Sequence, residues 1–168
     1  MRSRPRGCME NRPMTMKHAL LLSVCAVWAS GCVHYFPGTE IPENPDTRAI
    51  KDVMEKYRTA VEARDVGAII ALCSEQYRDD AGTIQTDDDL DYATLREVLP
   101  KRLSKVQNVN LYMELKRIDI ERDTALATYS YVWRYRLPAY SSKPQSDSDI
   151  MQMSFKRIGQ QWKITRGL

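Results

Sequence analysis

Residues Ile50 to Asp80 read IKDVMEKYRTAVEARDVGAIIALCSEQYRDD, and the periodicity of this stretch decides the architecture. Ile50, Val53, Met54, Tyr57, Ala60 and Val61 recur at the spacing that gathers them on one face of a helix, with Asp46 or Thr47 available as its cap. The helix is expected to stop near Arg64, where Asp65 caps a second one through Ala68, Ile69, Ile70, Leu72 and Cys73. Two amphipathic helices joined this closely make a helical hairpin. Ser74 to Gly82 then carries Tyr77, Asp79 and Asp80 into a short strand or loop.

Downstream, Asp87, Asp88, Asp89 and Asp91 have the alternation of a calcium-binding loop, but Tyr92 stands where that loop needs glycine and Val98 where it needs glutamate. The acids are read instead as favouring the positive end of a third helix, with Thr94 and Glu97 as a capping box. Leu95, Val98, Leu99, Leu103 and Val106 form its apolar face, and Pro100 should kink it. After Asn108 the period drops to two. Val109, Leu111, Met113 and Leu115 alternate with polar residues, then the apolar parity shifts to Ile118 and Ile120, which predicts a bulge near Lys116 and Arg117. Glu121, Arg122 and Asp123 make a tight turn into a strand from Thr124 to Leu137, with Ala125, Ala127, Tyr129, Tyr131, Trp133 and Tyr135 on one face and Arg134 and Arg136 on the other. Ala139 to Ser148 reads as a loop. Two closing strands follow, one with Met151, Met153 and Phe155 on a face and, after Gly159, one with Trp162 and Ile164. Three N-terminal helices packed on a strongly curved antiparallel sheet are an α+β fold.

Upstream of the hairpin, Val33 to Thr47 contains Pro37, Gly38, Pro42 and Pro45 without apolar period and reads as a flexible tether, reaching up to ~45 Å if extended. Its Tyr35 and Phe36 could rest on a membrane interface. Before it, ten uncharged residues from Ala19 to Trp28 follow Lys17 and lead into Ala29-Ser30-Gly31-Cys32. Ten residues rise only ~15 Å as a helix, about half of a bilayer's hydrocarbon core, so the segment reads as a secretory signal and not as a membrane span. The expected organisation is a signal over 1–31, with a true start at Met14 or Met16 equally compatible, the tether over 32–47 and one domain over 48–168.

Removing the signal takes away five of the 25 Lys and Arg but only Glu10 of the 22 acids, leaving 20 basic and 21 acidic side chains. The whole-chain pI near 8.7 therefore reports the signal, and nothing in the domain's charge points to nucleic acid. Of the four cysteines, Cys8 and Cys25 lie in the signal, Cys32 follows directly on it, and Cys73 falls in an apolar run suited to the core.

Ala29-Ser30-Gly31-Cys32 resembles the lipobox of bacterial lipoproteins, which implies lipidation of Cys32 and anchoring to a bacterial membrane, facing the periplasm or the exterior. The hairpin from Ile50 to Asp80 and the ending FKRIGQQWKITRGL from Phe155 to Leu168 resemble the nuclear transport factor 2-like superfamily, which includes ketosteroid isomerase, scytalone dehydratase and the polyketide cyclases. That resemblance implies a cone-shaped α+β barrel whose open end is often a ligand pocket; many members are not enzymes. Dehydratase-type members use an Asp and His pair, whereas the two histidines here, His18 and His34, lie in the signal and the tether. Isomerase-type members place a tyrosine on the first helix, a basic carboxylate just after the second, and a protonated acid on a late strand. Tyr57 matches the first, Asp80 falls within about a residue of the second, and Met153 falls at or beside the third, where it cannot donate a hydrogen bond.

The candidate pocket residues are therefore Tyr57, Tyr77, Asp80, Tyr129, Tyr131, Trp133 and Met153, with no metal site and no cofactor expected. The expected function is non-catalytic binding of a small apolar ligand or a protein partner by a membrane-tethered domain. The alternatives are an isomerase- or hydrolase-like enzyme using Asp80 and Tyr57, and a homodimeric assembly module paired through the sheet.

Overall fold

The computed structural model describes residues 33–80, 89–141 and 143–168; the segment read as a signal, with Cys32, and Asp87 and Asp88 of the acidic run, lie outside them. The described chain runs through α1 (Pro45–Ala63), α2 (Val66–Leu72), the short strands β1 (Arg78–Asp79) and β2 (Leu90–Asp91), then α3 (Tyr92–Lys105). Four strands follow: β3 (Gln107–Glu121), β4 (Thr124–Arg136), β5 (Gln145–Ile158) and β6 (Gln161–Arg166). They pair antiparallel in the order β3-β4-β5-β6, giving the curved sheet and helical layer of the expected α+β fold.

The helical hairpin forms where the periodicity places it, with its start corrected. Asn44, and not Asp46 or Thr47, caps α1: its Oδ1 accepts from the Asp46 and Thr47 amides at 3.0 Å each, and the Asn44 amide donates to the Thr47 hydroxyl at 2.9 Å. Pro45 occupies the first helical turn, where its missing N–H costs nothing. At the other end Arg64 turns left-handed (φ 55) and Asp65 caps α2, accepting from the Ala68 amide at 2.9 Å. The cap of α3 is Asp91, which accepts from the Thr94 amide at 2.8 Å, rather than Thr94 with Glu97. Pro100 sits inside α3, which continues to Lys105.

The segment read as a tether is largely folded onto the domain, whose compact unit spans His34–Leu168. Phe36 is 8% exposed and Ile41 3%. A turn through Pro37 and Gly38 (φ 74) brings them together, the Phe36 amide donating to the Ile41 carbonyl at 3.1 Å and the Glu43 amide to that of His34 at 2.6 Å. Lys51 of α1 lies 4.6 Å over the Phe36 ring, so this aromatic packs against α1 instead of facing outward, whereas Tyr35 stays half exposed. Proline and glycine here make a tight return, where sequence alone reads stiffness and reach.

Asp46, in the first turn of α1, accepts from Arg157 Nη2 at 2.8 Å and from Trp162 Nε1 at 3.2 Å, tying the helix start to β5 and β6. The Arg157 bond above all, against the opposing pull of desolvation, holds the Asp46 carboxyl below the usual range. A depressed carboxylate pKa contributes stability that is present above the unfolded value of about 3.9 and disappears as pH falls through the folded value. Acid unfolding followed by circular dichroism should therefore lose its steepness below about pH 4 in Asp46→Asn relative to wild type.

In the sheet the expected bulge is present: Leu115 pairs with Tyr129 and Arg117 with Thr128, so Ile118 and Ile120 return to the side of Leu111, Met113 and Leu115. The expected loop ending at Ser148 is shorter than the sequence suggests. β5 already begins at Gln145 and pairs residue for residue with β4, Trp133 facing Asp147 and Tyr131 facing Asp149. Serines and aspartates there hide the alternation, while β4 supplies the pairing that holds them extended. Cys73 is buried in the core, where loss of solvent pushes its thiol up to about 12.

Candidate functional site

The interior divides into two buried clusters. One gathers Ile50, Met54, Tyr77, Met153, Phe155 and Ile164 among others; the second contains Ala60, Val61, Ile69, Leu103, Val106 and Leu111. Tyr57, Leu99, Met113, Tyr131 and Leu168 are only partly buried and pack against both. All five line a cavity of about 300 Å³, which is thus the seam that the two clusters leave open. Helical spacing on α1 brings Tyr57 to it, α3 contributes Leu95, Leu99, Arg102 and Leu103, and the period of two on β4 brings Tyr129, Tyr131 and Trp133. Leu111 and Met113 of β3 and Asp147 and Met151 of β5 complete the sheet side.

Aliphatic and aromatic carbon dominates this lining, and its phenols stay protonated. Burial lifts the Tyr57 phenol above its ordinary value and pushes Tyr129 and Tyr131 up to about 12; for Tyr131 its bond to Asp147 adds to the effect. At neutral pH these groups are hydrogen-bond donors and not bases. The Tyr131 hydroxyl donates to Asp147 Oδ2 at 3.0 Å. Trp133 Nε1 is buried without a hydrogen-bond partner, and its ring lies 4.3 Å from that of Tyr135, tilted by 34°. Arg102 and Asp147 are the charged residues among the lining positions.

Four of the seven candidates from the sequence, Tyr57, Tyr129, Tyr131 and Trp133, thus come together in one cavity. The other three do not line it. Tyr77 is a core residue, its hydroxyl donating to Asp79 Oδ2 at 3.2 Å and accepting from the Leu168 amide at 3.2 Å. Met153 is fully buried opposite Ala127. Asp80 has half of its side chain in solvent, 51%, and pairs with Arg166. The alternation along β1 explains it: Asp79, with 15% of its side chain exposed, turns inward and the next residue turns out. Asp80 and Tyr57 are therefore not parts of one site, and the pairing that the alternative, isomerase-like reading requires of them is not formed.

Asp147, Arg102 and Met151 are lining residues that the sequence reading did not single out. Asp147 fell in a stretch read as loop, and Arg102 interrupts the apolar face of α3 between Leu99 and Leu103. Among the described residues no group of His, Cys, Asp and Glu side chains is arranged to hold a metal ion.

No protein-family model matches the chain, and no curated protein matches it in sequence. Solved structures do match it in fold. A scytalone dehydratase-like protein of Novosphingobium aromaticivorans superposes with a TM-score of 0.63 at 14% identity, over 73% of this chain and 80% of that one. A ketosteroid isomerase-like protein of Erwinia carotovora atroseptica gives 0.63 at 16% identity, over 74% of this chain and 95% of its own. A type 2 hexachlorocyclohexane dehydrochlorinase gives 0.61 at 13% identity, over 73% and 82%. The chain has the fold of the nuclear transport factor 2-like superfamily. Identities this low carry the fold and leave the activity to be argued from the site.

Proposed function

We propose that this protein is a lipid-anchored bacterial envelope protein whose domain holds a small, largely apolar ligand in its cavity without transforming it. The observation that carries the reading is the cavity itself. Its volume of about 300 Å³ lies at the lower end of the range of small-molecule sites, and its lining combines apolar walls with a few polar groups, as such sites do. The carboxylate that isomerase-like chemistry would set beside Tyr57 stands outside it, paired with Arg166.

Ligand binding is tested with N-phenyl-1-naphthylamine, an uncharged dye that fluoresces on leaving water. Wild type should enhance its emission saturably, and Leu99→Trp, which places a larger ring in the seam, should abolish most of that enhancement. Equal emission from both proteins would remove the support for the cavity as a binding site. The anchor rests on Ala29-Ser30-Gly31-Cys32. Metabolic labelling with a fatty acid should mark wild type and leave Cys32→Ser unlabelled; equal labelling of the two would end the lipoprotein reading.

A second reading has its own observation. The Tyr131–Asp147 hydrogen bond puts a phenol and a carboxylate in the same cavity, and the solved neighbours named above carry the names of enzymes. An isomerase- or hydrolase-like activity would then run through Asp147 rather than Asp80, and Asp147→Asn would abolish turnover while sparing dye binding. Homodimer formation through the outer sheet face, where Tyr112 is 59% and Ile150 65% exposed, would show as a doubled mass in light scattering and is compatible with either reading.

A further inference from the structure

On the helix-facing side of β4 and β5 the residues stand in opposed pairs: Ala127 with Met153, Tyr129 with Met151, Tyr131 with Asp149, Trp133 with Asp147. Along this row the apolar partner gives way to a carboxylate just where the aromatic rings of the cavity wall stand. Asp147 is held in position from two sides, accepting from the Tyr131 hydroxyl at 3.0 Å and from the Ser148 amide at 2.9 Å. Asp149 accepts from the Ile150 amide at 2.7 Å. Among the described residues neither carboxylate forms an ion pair, and Arg102, the cation of the lining, does not reach them. Asp46 and Glu62, by contrast, each hold a cation, Arg157 and Arg58 respectively.

We propose that the cavity takes an organic cation, a protonated amine or quaternary ammonium group on an apolar body, with the charge against the rings of Tyr131 and Trp133 and the Asp147 carboxylate. The inference rests on the reading of the cavity as a ligand site and names the charge of its ligand. Ring faces and a fixed carboxylate together compensate such a group for the water it loses, whereas the apolar body meets the leucines and methionines farther in. A metal cation does not fit the same walls, because it requires several oxygen ligands where these walls present carbon. An anion would have Arg102 to pair with but would meet the Asp147 carboxylate in the lining, with Asp149 two residues further along the strand.

The test compares phenyltrimethylammonium with its uncharged isostere tert-butylbenzene, and with 4-tert-butylbenzoate, by NMR titration of the full chain in detergent. Wild type is expected to bind the ammonium roughly tenfold more tightly than the isostere. Asp147→Asn keeps an acceptor for the Tyr131 hydroxyl and should erase most of that preference while leaving the affinity for tert-butylbenzene unchanged. Should its melting curve show Asp147→Asn to be unfolded, Asp149→Asn carries the same expectation with a loss of about threefold. Equal affinity of wild type for the ammonium and the isostere overturns the charge inference and leaves the cavity reading standing. A preference for the benzoate that disappears in Arg102→Gln overturns it as well, in favour of an anion. Binding of none of the three overturns the cavity reading and this inference with it.

Discussion

Ile41→Ala is expected to cost about 2–4 kcal/mol of folding stability and to lower the melting temperature by roughly 10 °C. The residue is 3% exposed, so truncating it removes buried methylenes and leaves a cavity under the turn that also holds Phe36. The same segment delivers the Asn44 cap, whose loss in Asn44→Ala should cost about 1 kcal/mol more. A free tether would make both changes silent, within about 0.5 kcal/mol. Thermal unfolding of the two variants decides between these outcomes. The result bears on function as well: with the compact unit beginning at His34, a lipidated Cys32 would hold the domain close against the headgroups instead of tens of ångströms above them.

Gly167→Ala is the other change with a large expected effect. Gly167 has φ 95, a conformation that residues with a side chain seldom adopt, and a Cβ built there would stand 2.3 Å from the Gln152 carbonyl oxygen and 3.0 Å from Met153 Cα. Both obstacles are backbone of β5, which cannot swing aside as a side chain can. The Gly167 amide also donates to Asp79 Oδ2 at 2.9 Å, and the Leu168 amide to the Tyr77 hydroxyl, so a shifted backbone would break two further bonds. Strain and overpacking together put the loss at about 3 kcal/mol or more, with a melting temperature lower by roughly 10 °C. Because Leu168 lines the cavity, dye affinity should fall in the same variant. A melting curve superimposable on wild type would mean that the chain end does not pass β5 in this way.

The parts of the fold that the sequence displays are those where burial imposes a period. The face from Ile50 to Val61, the cap at Asp65, the parity shift after Leu115 and the alternating aromatics of β4 could each be read because a buried face leaves a repeat in the chain. The parts that stayed hidden are held by partners remote in sequence or by the backbone. The first turn of α1 depends on Asn44, four residues before the assumed start of the domain, and Phe36 and Ile41 are too few to show a period. The start of β5 is extended because β4 lies beside it, and a run of Ser and Asp gives no sign of that. The same holds for the site. Tyr57, Tyr129, Tyr131 and Trp133 were legible as ring-bearing positions on known faces, but the identity of the carboxylate in reach depended on register, which removed Asp80 and brought in Asp147.

If the cavity is a ligand site, the seam between the two core clusters is occupied in the native protein. Because those clusters touch through partly buried residues and not through a closed interior, an empty seam would leave apolar walls around about 300 Å³, and a ligand that fills it adds to the stability of the folded chain. Native mass spectrometry of the protein purified from the cells that make it measures this. Wild type is expected to carry one additional small molecule of fixed mass per chain, absent from Leu99→Trp purified in the same way. Wild type at the mass of the polypeptide alone, or the same adduct on both proteins, would mean that the seam is not an occupied site.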